Sequence, residues 1–319
     1  MTALASRPPA TGASSTRGAG HLLAPLAVAV LCAAGVLALY RVFVRTTLGQ
    51  LVDTAAMRGG DVRHAKVVEV LSRALNGTTL VSLVLVCVAA ATIGVLRKRI
   101  DLAVGAALLV IGANASTQLL KTRLVRPDLD AFPAPNSFPS GHTAAAASVV
   151  CALILALPHA VRGTVALIGF GYVTLIAVAT VWAEWHRPSD TIAALLIVLA
   201  WGSVIAFGVR LRRRRVAGRP ERPGRPATLL LLAGGAVAGL MGVLGLLAVA
   251  LSERVTPGLV SGRFAFLTGS AGIAAVVAGV FLIWMRLASG PRPATGTAPD
   301  EADRTGAKRA VRRPEGGPK

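Results

Sequence analysis

With 319 residues, 54% of them hydrophobic and only 15% charged, and a mean hydropathy of +0.66, the chain is too apolar for a soluble domain. The formal net charge of +20 does not mark a nucleic-acid binder, because the Lys and Arg residues lie between apolar runs and build no basic face interleaved with aromatics. Orientation signals and anionic lipid headgroups account for the charge, so the expectation is an all-α polytopic membrane bundle with no nucleic-acid partner.

The first 21 residues are rich in Pro, Ser, Thr and Gly and read as a disordered N-terminus. The apolar run that follows is too long for a signal-peptide core and lacks a convincing cleavage site, so it reads as a retained span. A hydrocarbon core takes about 20 apolar residues per crossing. Eight segments qualify: 22–42, 78–96, 102–120, 143–160, 163–183, 190–209, 228–251 and 265–286. The chain then divides into a six-span core over 22–210, a basic connection over 211–227, two additional helices over 228–287 and a disordered basic tail over 288–319. Cys32, Cys87 and Cys151 all fall inside apolar runs without CxxC spacing and read as buried structural thiols.

Charge sets the orientation. With the N-terminus inside, inner segments hold 22 of the 34 Lys and Arg residues, sixteen of them in the Arg210–Arg225 connection and from Arg286 onward. The outer segments hold 12, half of them between Arg41 and Arg73. The asymmetry predicts both termini in the cytoplasm. Parity then puts the loop between the third and fourth spans on the same outer face as the loop between the fifth and sixth.

Those two loops carry the candidate chemistry. One reads Asn136-Ser137-Phe138-Pro139-Ser140-Gly141-His142 and the other Trp185-His186-Arg187-Pro188-Ser189-Asp190. Ionisable groups at membrane depth cost at least ~2.5 kcal/mol each, so clusters of them at span ends usually serve a function. His142 stands where a helix begins, and Ser140-Gly141 lets an anion approach the backbone N–H groups there. The bland reading is a capping turn with a histidine at headgroup level. His186 and Asp190 are four apart, a spacing that lets the carboxylate fix the imidazole tautomer if a helix starts near Pro188. A structural His–Asp pair is the alternative. Lys121 and Arg126 at the exit of the third span are snorkelling cations if taken alone, and phosphate ligands if the histidine loops face them. His21, His64 and His159 lack such surroundings and take no role. Trp182, Trp185, Trp201 and Trp284 fit interface or bundle packing, with Trp182 and Trp185 able to wall a cavity.

These residues resemble the signatures of the type 2 phosphatidic acid phosphatase family, which includes membrane lipid phosphatases and relatives of vanadium haloperoxidases. Its P-S-G-H signature is intact as Pro139-Ser140-Gly141-His142, and the catalytic half of S-R-x5-H-x3-D is present as His186 and Asp190. The K-x6-R-P signature appears as Lys121 and Arg126-Pro127 with four intervening residues. The resemblance implies a nucleophilic His186 forming a phosphohistidine, oriented by Asp190. It also implies His142 as general acid, with phosphate oxygens held by Lys121, Arg126, Ser140 and Gly141. No metal or other cofactor is implied. The family's Ser-Arg pair falls on Ala179 and Thr180, so one phosphate-binding arginine is missing; Arg187 and Arg123 are the charges at hand to replace it. The resulting expectation is an extracytoplasmic-facing membrane phosphatase acting on a lipid-linked phosphate or pyrophosphate. A non-catalytic lipid-phosphate binder or transporter is the alternative, and a His/Asp metal enzyme leaves the Ser-Gly turn and the cations unexplained.

Overall fold

The computed structural model describes residues 14–60, 100–129, 135–212 and 225–289, with isolated helical residues between 69 and 96. The expected span at 78–96 and the N-terminal segment up to residue 13 therefore lie largely or wholly outside the described residues. So do most of the basic connection and the tail beyond 289.

Among the described residues the structure is all helix. In chain order the helices are α1 (Ser14–Leu39, continued by a π-helical turn, Tyr40–Val44), α2 (Thr47–Arg58), α3 (Ile100–Arg123) and α4 (Gly141–Ala156). They are followed by α5 (His159–Trp182), α6 (Pro188–Arg212), α7 (Arg225–Val255) and α8 (Gly262–Ala288). Six are long and apolar enough to cross a membrane, and α4 is a shorter apolar helix of 16 residues. The polytopic helical bundle expected from composition is thus the observed architecture. The Leu157-Pro158 pair ends α4 earlier than the apolar run suggests, because the residue before a proline is pushed out of helical geometry.

Helix α6 is central and packs against α1, α3, α4 and α8. Small residues set the close contacts. Trp284 of α8 is fully buried against Gly202 of α6, where an added Cβ would lie 2.9 Å from the indole. Its Nε1 donates to the Cys151 carbonyl of α4 at 2.9 Å. Helices α7 and α8 meet along Gly235, Gly242 and Gly245, where a side chain would strike Ala278, Gly272 or Thr268. Hydrocarbon offers no hydrophobic drive between helices, so such backbone approach is what holds them together. At the opposite end from the polar loops, Arg162 donates to the carbonyls of Leu155, Leu157 and Ala288 and so caps α4 while tying it to the end of α8. The two additional helices are therefore built into the bundle.

One helix was not expected. α2 is amphipathic, too short to span, and sits in the connection after the first span. Its residues Gln50, Asp53 and Thr54 are buried, although all three are polar. Thr46 caps its start by accepting from the Gly49 N–H, and Gly59 at its end lies against Gly262, where no side chain fits.

Helix α5 ends in a Schellman turn: the Glu184 N–H donates to the Val181 carbonyl at 3.0 Å and the Trp185 N–H to the Thr180 carbonyl at 3.0 Å. The left-handed position is taken by Glu184, φ 58°, where glycine is usual.

Two stability outcomes follow from this packing. Trp284→Ala leaves a large hole in the bundle and should cost about 3–5 kcal/mol, read as a lowered Tm in detergent, whereas Gly208→Ala, whose methyl meets open space, should not lower it. Glu184→Gly should keep or raise Tm, since a non-glycine residue in the left-handed region costs roughly 1–2 kcal/mol. Glu184→Val should lower it; the reverse order would remove the strain assigned to this turn.

Candidate active site

The two polar loops meet at one end of the bundle, and Asp190 is the point at which they join. It lies in the first turn of α6 and is fully buried. Its Oδ1 accepts from Arg126 Nη2 at 3.1 Å. Its Oδ2 accepts from Ser137 Oγ at 2.5 Å and from the Arg187 backbone N–H at 3.0 Å. That last bond is the reach-back of a capping box, in which an acidic side chain in the first turn satisfies the N–H of the residue that starts the helix. Asp190 also donates its position to the other loop, for its carbonyl accepts from the Ser140 N–H at 2.9 Å.

His186 is buried, with Nδ1 3.5 Å from Asp190 Oδ2. This is an ion-pair distance and too long for a well-formed hydrogen bond. The backbone N–H of His186 donates to the Thr180 carbonyl at 3.2 Å, so the end of α5 fixes where the imidazole starts. The His142 ring stands with its centroid 6.1 Å from that of His186 and 5.4 Å from that of Trp185. Trp185 thus adjoins the site, whereas Trp201 bonds Ser116 and packs on Gly112 within the bundle.

Ser140 is the N-cap of α4, its Oγ accepting from the Thr143 N–H at 3.3 Å. The bland capping reading of this residue is therefore part of the observed geometry. Gly141 and His142 occupy the next two positions, whose N–H groups have no acceptor within an α-helix. These two groups lie at the positive end of α4.

Arg126 lies in the connection after α3 and is buried. Beyond its bond to Asp190, its Nε and Nη1 have no hydrogen-bond partner among the described residues. Lys121 is half-buried on the last turn of α3 and lies near enough to interact electrostatically with Asp190 and His142. Asn136 ties this region together: its Nδ2 donates to the carbonyls of Lys121 and Leu124 at 3.1 and 2.9 Å. The two charges available for the missing family arginine differ in placement. Arg187 is buried, with Nε donating to Thr54 Oγ1 at 3.1 Å, whereas Arg123 is exposed. Thr180 itself is fully buried and donates to the Ala177 carbonyl.

Several neighbours were not singled out by the motifs. Ser137 was quoted only as part of a loop, yet it bonds Asp190 directly. Gln118 lies one turn before Lys121, with its amide nitrogen 3.5 Å from where a side chain on Gly141 would begin. Gln50 of α2 donates to the carbonyls of Val44 and Pro127 at 2.8 and 2.7 Å, holding the Arg126 loop. Asp53 of α2 accepts from the Ser189 N–H and hydroxyl. The available signal was the α2 pattern itself, with Leu48, Val52 and Ala56 on one face and polar residues between them.

Among the described residues no group of three or more His, Cys, Asp or Glu side chains is arranged to hold a metal ion. Neither the curated proteins nor the solved structures contain a match to the chain. Residues 103–214 match the family model of the PAP2 superfamily. That stretch runs from α3 through the end of α6, contains Lys121, Arg126, Ser140, Gly141, His142, His186 and Asp190, and is similar to the PAP2 superfamily within a polytopic membrane protein.

Proposed function

We propose that the protein is a membrane phosphatase that hydrolyses a lipid-linked phosphate or pyrophosphate through a phosphohistidine. The observation that carries this reading is Arg126: a buried guanidinium with two N–H directions unmet among the described residues, beside a His–Asp pair and a helix N-terminus. Buried charged donors left unpaired are costly, and an anion held here would satisfy them. The PAP2 similarity supports phosphoric ester hydrolysis as the reaction class.

In this reading Asp190 holds Nδ1 of His186 protonated, which leaves the Nε2 lone pair to attack phosphorus. A new N–P bond forms as the P–O bond to the leaving group breaks. Arg126, Lys121 and the Gly141 and His142 N–H groups stabilise the equatorial oxygens. His142 gives its proton to the leaving oxygen. It then takes a proton from water, which attacks phosphorus, breaks the N–P bond and releases inorganic phosphate. Ser140 positions the first turn of α4 and presents its hydroxyl to the same anion. The site lies at the outer face, both termini lie inside, and the six-span core over 22–210 carries the chemistry. Anionic lipids would hold the basic inner segments.

Binding without turnover remains the competing class, and kinetics separate the two. His186→Ala should abolish phosphate release from both a lipid phosphate and an aryl phosphate. His142→Ala should lose ~10²–10⁴-fold on the lipid phosphate and distinctly less on the aryl phosphate, whose leaving group needs no proton. Equal losses on both substrates would reassign His142, and a wild-type protein that binds lipid phosphate without releasing phosphate would favour the binder. Activity that disappears with a chelator and returns with a metal would overturn the metal-independent route.

Orientation has its own test. In a background with Cys32, Cys87 and Cys151 replaced, Asp128→Cys should react with an impermeant maleimide in intact cells, and Arg212→Cys only after lysis. Both positions are exposed. The opposite pattern would invert the topology.

A further inference from the structure

Helix α2 bonds residues that flank the candidate site on α6 and on the Arg126 loop. Gln50 holds the Pro127 and Leu129 backbone, Thr54 accepts from Arg187, and Asp53 engages Ser189. The Asp53 contact is the most specific. Oδ1 accepts from the Ser189 N–H at 3.1 Å, and Oδ2 pairs with the Ser189 hydroxyl at 2.5 Å. Ser189 is the second residue of α6, directly before Asp190 and three after His186. Its N–H is one of those a helix start leaves without an intrahelical acceptor. Two bonds from one carboxyl group therefore fix both the height and the rotation of the turn that carries the His–Asp pair.

The surroundings leave Asp53 few other partners. It is buried, and with Ser189 it borders an apolar cavity lined by Leu39, Phe43, Val52, Ile192, Leu246 and Val249. Its two bonds are thus made in a low-dielectric setting, where they are strong and their loss is costly.

We propose that Asp53 is a positioning residue for the phosphoryl-transfer site: through Ser189 it holds the first turn of α6 so that Asp190 and His186 face the substrate phosphorus. The proposal rests on the phosphatase reading and extends it to a helix outside the PAP2 segment. Asp53 touches neither substrate nor the reacting atoms, so its action is on turnover through geometry. Burial, and after it the nearby Asp190 charge, push the Asp53 carboxyl up to about 7. An amide at this position keeps the acceptor for the Ser189 N–H, and its NH2 can donate to the Ser189 hydroxyl oxygen where the carboxylate oxygen accepts from that hydroxyl. The geometric role therefore survives an amide.

The experiment uses the full-length purified protein with a short-chain lipid phosphate as substrate. Asp53→Ala should lower kcat at least tenfold with KM changed less than threefold, while Asp53→Asn should stay within threefold of wild type in both. Ser189→Ala removes one bond and keeps α2 in place; it should lower kcat twofold to tenfold, and it carries the test if Asp53→Ala does not fold. Wild-type kcat in a folded Asp53→Ala protein, or in Ser189→Ala when the former does not fold, would overturn the role. So would an Asp53→Asn protein as impaired as Asp53→Ala. A wild-type protein without turnover would count against the phosphatase reading instead. In that case side-chain NMR of His186 still reads the positioning. Asp53→Ala, or Ser189→Ala in its stead, should move the imidazole resonances and Asp53→Asn should not; resonances unchanged in the truncated variant would overturn it.

Discussion

A fully buried carboxylate has to be satisfied, and among the described residues Asp190 is satisfied by groups from three separate stretches of chain. Arg126 comes from the connection after α3, Ser137 from the turn before α4, and the Arg187 N–H from the start of α6. An unpaired charge at this depth is unaffordable, so these segments must converge once α6 is in place. The convergence brings His142, His186, Arg126 and the α4 N-terminus together at one end of the bundle. Fold and candidate chemistry therefore share one constraint. The same carboxylate that assembles the loops also faces the His186 ring.

Around that point the bundle supplies rigidity. The Schellman turn after α5 sets the His186 backbone through the Thr180 carbonyl, and α2 holds α6 and the Arg126 loop from the other side. Helices α7 and α8 lie outside the PAP2 segment, yet Trp284 fills the space opposite Gly202, and α8 packs against α2. The additional helices thus bear on the site indirectly, by backing the elements that position it.

Much of this was legible in the sequence because two signals are strong in membrane proteins. Among the described residues apolar length gave the spans, apart from ends shifted by Pro158 and by the π-helical continuation of α1, and the PSGH and His-x3-Asp spacings marked the loops. The roles of Ser137, Asp53 and Gln50 were not legible. Asp53 and Gln50 belong to a helix too short to register as a span, and its polar residues are buried by contacts 77 to 136 positions away in the chain. Arg162 caps helix ends through three carbonyls, a role that its place in the sequence does not announce. Pairings between distant residues leave no periodic trace, so a hydrogen-bond network of this kind emerges only once the helices are packed. The missing Ser-Arg pair was visible, whereas the difference between a buried Arg187 and an exposed Arg123 depended on the fold.

The central claim of the proposed mechanism is that one imidazole nitrogen carries the phosphoryl group between substrate and water. Rapid alkaline quench of the purified protein during turnover of a radiolabelled lipid phosphate, followed by peptide mapping, tests it most directly. The account expects alkali-stable, acid-labile label on the peptide containing His186 and on the imidazole itself. Turnover with no trapped label, under conditions where phosphate release is slowed, or label on another side chain, would contradict it.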